Sequence, residues 1–208
     1  MTRDSSVRAV AVVLAAGAGV RLGGVAKAAL VLPDGRTFLA AIVEAARSGG
    51  CSSIVVVAAE PHLEATRKAA AAAAADAALG DALVVNPEPE RGMASSFAAG
   101  LTALGDAGAG DVALLWPVDH PLVRAATVAA LLAVAGPDRI VVPRCAGRGG
   151  HPAAFGIDVW PELMTASSLP RGVRDVVARD PARVVTVATE DRGVALDVDT
   201  PADFRRIL

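Results

Sequence analysis

A glycine-rich segment near the start of the chain combines backbone freedom with two positive charges. The run VVLAAGAGVRLGG occupies residues 12–24, and Lys27 follows Arg21 by six positions. Backbone N–H groups between Gly17 and Gly19 can approach a ligand closely, because glycine has no side chain. An arginine fork and a lysine charge can then neutralise a triphosphate. The segment therefore predicts a phosphate-binding loop.

Two better-known glycine-rich loops fit this segment less well. The spacing G-x-G-x-x-x-G is similar to a dinucleotide fingerprint, but the chain continues to a VLPDGRT turn at residues 31–37 instead of entering a helix. The second predicted strand ends near Glu60, too late for the acidic residue that such a fingerprint places about twenty positions on. A P-loop needs Ser or Thr after its lysine, and here Ala28 follows Lys27.

Aspartates at three positions could bind a divalent cation. Asp119 directly follows the apolar run LLWPV, and Asp197 and Asp199 alternate in ALDVDT, where we predict a strand with both carboxylates on one face. Mg²⁺ prefers one or two carboxylates together with phosphate oxygens and water. These aspartates are therefore candidate metal ligands.

A third polar group follows the third predicted strand, in the segment NPEPERGMASSF. A loop ends at Gly92, and the helix after it presents Ser95, Ser96 and free N–H groups in its first turn. This surface suits a base edge or a phosphate, although serine there also serves simple N-capping. Asn86 is a further candidate contact to the base or ribose.

Length, composition and charge limit the classes of protein to which the chain can belong. The chain has 208 residues, a net charge of -2, 53% hydrophobic and 20% charged residues, and we expect one domain over residues 1–208. Neither the charge balance nor the 3% aromatic content suits a nucleic-acid-binding surface. The apolar run at the N-terminus stops at Gly17, well short of the roughly twenty residues that span a bilayer. We expect no signal peptide, no membrane contact and a cytoplasmic location.

The elements that must position these residues alternate along the chain. Apolar runs predict strands, and segments with helical spacing predict helices between them. This pattern favours an α/β fold, a single doubly wound and mostly parallel sheet with helices on both faces. Ligands collect at the carboxyl ends of such strands. The predicted strands lie at 7–15, 53–59, 82–86, 111–118, 138–143 and 182–189, and the principal predicted helices at 37–50, 62–79 and 126–137.

The segment LAAGAGVRLGGVAK resembles the signature L-A-A-G-x-G-x-R-x-G…K of nucleotidyltransferases built on one doubly wound domain, which include sugar-phosphate and molybdopterin members. Ala16 is more similar to the cytidylyltransferases than to the guanylyltransferases, whereas Ala26 and Val20 depart from the usual pattern. The resemblance implies catalytic roles for Arg21 and Lys27. It implies nucleotide contacts for Leu14, Ala15, Ala16, Gly17, Gly19, Asn86, Ser95 and Ser96.

Two later segments narrow the resemblance. GGHPAAFG, at residues 149–156, is similar to the G-H-P-x-x-F of the molybdopterin cytidylyltransferases, which implies that Gly150, His151 and His120 contact the acceptor. DVDTPADF is similar to the C-terminal D-x-D-T-P-E-D of the family and favours Asp199 over Asp197 as the second metal ligand.

The resemblance implies an enzyme that uses Mg²⁺ or Mn²⁺ to transfer CMP from CTP to a phosphorylated acceptor, with molybdopterin as the first candidate and pyrophosphate as the leaving group. A molybdenum-dependent dehydrogenase would be a possible partner. Guanylyl transfer and a sugar-phosphate acceptor are variants within this class. A nicotinamide-dependent oxidoreductase on the same framework and a non-catalytic chaperone for molybdenum-cofactor insertion are alternatives of other classes.

Overall fold

Four parallel strands form the half of the sheet that bears the glycine-rich loop. The computed structural model describes residues 8–74, 82–107 and 110–207. The strands lie in the order β3-β2-β1-β4. Strands β2 and β3 are therefore added on one side of β1 and β4 on the other, so the strand order reverses between β1 and β4. In a doubly wound sheet this switch point is where ligands bind, beyond the carboxyl ends of the strands. The strands are β1 (Ala9–Leu14), β2 (Cys51–Ala58), β3 (Ala82–Val85) and β4 (Val112–Pro117).

The second half of the sheet is mixed. β7 (Ala153–Gly156) pairs antiparallel with both β4 and β5 (Ile140–Cys145), and β8 (Val184–Ala188) runs parallel to β5. The two-residue β6 (Arg148–Gly149) folds back on β5 as a short hairpin. The doubly wound, mostly parallel α/β fold is thus confirmed, and the six strands predicted from apolar runs are all present. β6 and β7 were not predicted, because neither is long enough to produce a periodic signal.

Helices cover both faces of the sheet, as predicted. The predicted helix over 62–79 is present up to residue 74, and its remainder lies outside the described residues. Among the described residues, no helix combines the length and the apolar character needed to cross a membrane. The helices are α1 (Phe38–Ser48), α2 (Leu63–Ala74), α3 (Met93–Ala107), α4 (Ala125–Ala133), α5 (Trp160–Met164), α6 (Val173–Arg179) and α7 (Pro201–Ile207).

Each face of the sheet has its own core. Along β1, Ala11 and Val13 point to the core under α1, α2 and α4, whereas Val10 and Val12 point to the core under α3, α5 and α6. All four are fully buried, which is why this strand reads as a continuous apolar run. A strand fixed in this way on both faces holds its carboxyl end, where the glycine-rich loop begins, in one place.

The segment that carries Asp197 and Asp199 is not a strand, and the prediction was wrong there. The last strand ends at residue 188, and the chain then makes a short 3-10 turn at Arg192–Ala195. Val198 is buried and donates its N–H to the Asp119 carbonyl at 2.8 Å. This bond ties the segment across the end of β4 and not along a sheet edge, so no ladder forms.

Candidate active site

A compact cluster of two cations and two carboxylates lies at the switch point of the sheet. The Lys27 ammonium lies 2.9 Å from an oxygen of Asp119 and also donates to Asp199. The Arg21 guanidinium lies 2.5 Å from the other oxygen of Asp199. Lys27 and Asp199, 172 positions apart in the sequence, therefore meet at one point, together with Arg21 and Asp119.

The strands and turns account for this meeting. Asp119 lies two residues beyond β4, where the Val118 N–H donates to the Leu14 carbonyl of β1 at 3.1 Å. Asp199 is brought to it by the bond from Val198 described above. Lys27 opens a short 3-10 turn anchored by the buried Ala28. Sequence reasoning identified each of these charged residues, and the fold brings them together.

The two cations and the two carboxylates of the cluster neutralise each other's charge. Burial disfavours the charged form of Lys27, but the charges of Asp119 and Asp199 outweigh it and raise the pKa of Lys27. Burial likewise works to raise the pKa of Asp199, yet its bond to Lys27 and the charge of Arg21 lower it below its usual value. The Lys27 side chain is 13% exposed, whereas that of Arg21 is 71% exposed. Arg21 is therefore free to reorient toward a ligand, and Lys27 is held.

The glycine-rich loop presents unpaired backbone donors. Within the ranges that the structure describes, the N–H groups of residues 16–19 donate to no protein acceptor. The His62 ring lies 3.0 Å from the Ala18 carbonyl and holds the loop. Gly19 has φ of 59°, and a Cβ there would lie 2.2 Å from the Val25 carbonyl oxygen, so only glycine fits. A fixed row of free N–H groups is a site for phosphate oxygens.

The cluster and the loop border a large open cavity of about 920 Å³. A cavity of that size accommodates a nucleotide together with part of a second molecule. Its wall includes the predicted residues Leu14, Gly17, Gly19, Arg21, Lys27, Asp119, His120, Gly150, His151, Asp197 and Asp199. Ala15, Ala16, Asn86, Ser95 and Ser96 are not on this wall; Ala15 is buried, and its N–H donates to Val57.

Asn86, Ser95 and Ser96 form a separate buried group behind the cavity. The Asn86 amide donates to both serine hydroxyls at 2.9 Å, and its carbonyl oxygen accepts from the Glu88 N–H. The Ser95 hydroxyl is also within hydrogen-bond distance of the Glu88 and Gly92 carbonyls. These contacts fasten the loop after β3 to the start of α3. Contact of these side chains with the nucleotide stays a prediction.

Two histidines also line the cavity, and the Nε2 of His120 lies 3.9 Å from an oxygen of the neighbouring Asp119. The rings of His120 and His151 lie edge to face, 5.1 Å apart. The ring Nδ1 of His120 lies 3.3 Å from the Gly193 carbonyl oxygen. The backbone N–H of His151 donates to the Val194 carbonyl at 2.8 Å. Gly150 must be glycine, because a Cβ there would lie 1.9 Å from the Val194 oxygen.

The His151 ring is neutral in the folded protein. The pKa of His151 is lowered to about 4, chiefly by burial; the charges of His120 and Arg174 act in the same direction, and a hydrogen bond with the Leu115 backbone opposes them. Its Nδ1 is buried and has no hydrogen-bond partner among the described residues. A neutral imidazole with an unpartnered nitrogen can hydrogen-bond a ligand without adding charge.

Sequence reasoning missed much of the cavity wall. Arg148 and Arg174 both line it, together with the apolar residues Val142, Phe155 and Val177. Arg148 directly precedes the G-G-H-P segment and could have been suspected from that position. Arg174 lies on α6, where no motif in the sequence distinguishes it from the other exposed arginines.

The two carboxylates suit a divalent cation. Asp119 and Asp199 converge on the same ammonium group, so their oxygens face one point that a small cation can share. Asp197 lines the cavity but pairs with none of the described cations. Among the described residues, no three side chains of His, Cys, Asp or Glu are grouped to bind a metal on their own. A metal held here would complete its coordination with ligand phosphates and water.

Residues 11–184, about five sixths of the chain, match the model of the MobA-like NTP transferase domain. The chain belongs to this family. A comparison with curated proteins gave no match. The family and the site together identify the chain as a nucleotidyltransferase, and the predicted resemblance to this family is confirmed.

Solved structures share the fold over nearly the whole chain. Rv0371c from Mycobacterium tuberculosis H37Rv is 30% identical, with 98% of this chain and 99% of that chain covered and a TM-score of 0.78. A second structure of Rv0371c, in complex with manganese, is 28% identical over 97% of this chain and 98% of that chain, with a TM-score of 0.71. A nucleotidyl transferase from Methanothermobacter shares the fold at 24% identity, over 96% of this chain and 95% of that chain, with a TM-score of 0.75.

Proposed function

We propose that this nucleotidyltransferase transfers CMP from CTP to a phosphorylated acceptor, with molybdopterin as the first candidate, and releases pyrophosphate. The observation that carries the proposal is the cluster of Arg21, Lys27, Asp119 and Asp199 beside a loop with free N–H groups. This arrangement offers donors and cations for a triphosphate and carboxylates for a metal. Nothing in it resembles a nucleophilic triad.

The nucleotide would bind with its phosphates on the glycine-rich loop. The N–H groups of residues 16–19 donate to phosphate oxygens, and Arg21 swings from Asp199 to the outer phosphates. Lys27 stays at the base of the cavity and stabilises charge that develops on the departing pyrophosphate. Because this stabilisation is fixed before the reaction, it favours the transition state without further reorganisation.

The chemical step needs no protein base. An oxygen of the acceptor phosphate attacks the α-phosphorus, the new P–O bond forms, and the bond to the β-phosphate oxygen breaks with its electron pair. A phosphate monoester has a second pKa near about 6 and is already dianionic at neutral pH. The neutral His151 fits this scheme as a hydrogen-bonding group and not as a base.

Asp119 and Asp199 would hold the Mg²⁺ or Mn²⁺ ion, and the manganese complex of Rv0371c supports a divalent metal in this family. When bound, the metal neutralises phosphate charge and orients the α-phosphate.

The choice of CTP and of molybdopterin rests on sequence features. Ala16 in the loop and the G-H-P-x-x-F segment at residues 150–155 are similar to the molybdopterin cytidylyltransferases. A molybdopterin cytidylyltransferase would pass its product to a molybdenum-dependent dehydrogenase. Such a dehydrogenase would therefore be the protein partner of this chain.

A nucleotide screen tests the proposal directly. Thermal unfolding is measured with CTP, GTP, ATP and UTP in the presence of Mg²⁺, because a ligand that binds only the native state raises its stability by mass action. We expect the largest increase in Tm with CTP. Pyrophosphate release from CTP is then followed with and without molybdopterin. Equal shifts for all four nucleotides would contradict the choice of CTP, and no pyrophosphate release with molybdopterin would contradict the acceptor.

A further inference from the structure

Two arginines on the cavity wall carry charges that no group among the described residues neutralises. Within the described part of the chain, the side chains of Arg148 and Arg174 make no hydrogen bond and no ion pair. The other two cations of the wall, Arg21 and Lys27, are both held by carboxylates. The remaining carboxylate of the wall, Asp197, pairs with neither arginine. The cavity therefore has a region of uncompensated positive charge.

The backbone under each arginine is fixed by structure around it. Arg148 lies in β6, opposite Cys145 of β5, and the turn between them is closed by a bond from the Arg144 guanidinium to the Gly147 carbonyl at 2.9 Å. Arg174 lies in α6, whose Val176 is fully buried in the second core. Both side chains are thus presented from anchored segments.

Other residues on the wall of the same cavity are neutral or apolar. Val142 and Val177 contribute aliphatic wall to the same cavity. His151 also lines it, and the charge of Arg174 is among the causes that keep its pKa low, so the ring adds no positive charge. The buried Nδ1 of His151 still lacks a partner among the residues that the structure describes. An anion that enters here meets two guanidinium forks and one uncharged imidazole.

We propose that Arg148 and Arg174 form a second anion-binding subsite, which takes a dianionic phosphate group of the acceptor. Two unpaired guanidinium charges match a dianion, and arginine binds phosphate with paired, charge-assisted hydrogen bonds. The subsite is separate from the triphosphate site, which has its own cations and N–H groups. The inference rests on the proposed nucleotidyl transfer and adds the residues that select a phosphorylated acceptor.

The test measures inorganic phosphate binding while the nucleotide site is filled. The protein is saturated with Mg²⁺ and the non-hydrolysable α,β-methylene analogue of CTP, and phosphate is added in an isothermal titration at constant ionic strength. We expect saturable binding in the wild type. In the double variant Arg148→Gln and Arg174→Gln, the affinity for phosphate should fall by about a hundredfold, that is about tenfold for each lost charged contact.

A matched control separates this effect from a general loss of charge. The double variant Arg67→Gln and Lys68→Gln also removes two positive charges, from exposed positions on α2 outside the cavity. It should bind phosphate as the wild type does. Each single cavity variant, at Arg148 or at Arg174, should fall between the wild type and the double variant.

Three results would overturn the subsite. Phosphate binding that disappears when the analogue is bound would mean that only the triphosphate site takes anions. An equal loss in the control variant would point to net charge alone, and weaker binding of the analogue in the arginine variant would assign both arginines to the nucleotide. Failure of the wild type to bind any nucleotide would instead refute the proposed function, and phosphate titration of the nucleotide-free variants would still decide the subsite.

Discussion

Two polar clusters follow strands of the same sheet, and they differ in charge and in burial. The cluster of Lys27, Asp119 and Asp199 borders the cavity, and its charges are only partly buried. The cluster of Asn86, Ser95 and Ser96 is buried and neutral, and its hydrogen bonds lie within the protein. The first was predicted to act in catalysis and metal binding, and the second to contact the nucleotide.

The difference teaches how a functional polar group can be told from a structural one. A buried neutral network that saturates its donors stabilises the fold and has little left to offer a ligand. Charges at a cavity edge bind one another only until a ligand with stronger charges competes for them. The carboxyl end of a strand therefore marks a place for chemistry, but the hydrogen-bond inventory decides which residues perform it.

The largest effect is expected for Asp119→Asn. Replacing this carboxylate removes one of the two metal ligands, so we expect turnover to fall by about a thousandfold, on the scale of several kcal/mol that a catalytic metal contributes. The measurement is pyrophosphate release as a function of Mg²⁺ concentration. Asp34→Asn, at an exposed turn, is the matched control and should keep full activity. A fully active Asp119→Asn enzyme would remove this residue from the metal site.

Lys27→Ala should lower turnover by about a hundredfold, because it removes one fixed donor to the transition state. It should also tighten Mn²⁺ binding in the absence of nucleotide, since Asp119 and Asp199 lose the ammonium group that they now share. Turnover is measured by pyrophosphate release and metal affinity by calorimetry. Lys68→Ala, on the surface of α2, provides the control for loss of one positive charge. Unchanged turnover would exclude Lys27 from catalysis.

The smallest effect on catalysis is expected for Asn86→Ala. This change leaves buried hydroxyls without their donor, so the free energy of unfolding should fall by about 1–3 kcal/mol, while kcat changes little. Denaturant unfolding and steady-state kinetics provide the two measurements. Thr102→Ala, which loses only an exposed bond to the Ala98 carbonyl, should be nearly neutral. A large rise in KM for CTP at unchanged stability would instead show that Asn86 contacts the nucleotide.

The parallel core of the fold was predictable because burial on both faces leaves a clear trace in the sequence. β1 and β4 are buried at every position, and their apolar runs are visible without any structure. β7 was not visible, since four apolar residues at 153–156 suit a strand, a turn or a helix end equally. The segment around Val198 misled prediction for a related reason: alternation of apolar and acidic residues requires one buried face, not a paired strand.

The residues of the candidate site likewise differ in whether a sequence motif identifies them. Arg21, Lys27 and the aspartates belong to motifs, so their chemistry could be inferred from residue type and spacing. Arg148 and Arg174 belong to no motif, and their significance comes from the lack of carboxylate partners at a cavity wall. A charge that is unpaired in space cannot be identified in a sequence that contains 20 basic and 22 acidic residues.

The sequence by itself determined the class of fold and indicated the glycine-rich loop and the charged residues to which we assign the reaction, because periodic burial and glycine spacing are local properties of the chain. Only the tertiary structure decided that Asp119 and Asp199 converge on Lys27, that Asn86 turns inward, and that two arginines of the cavity wall have no partner among the residues that the structure describes. These outcomes depend on which groups come within hydrogen-bond distance after the chain has folded. That distance is set by contacts between residues far apart in sequence.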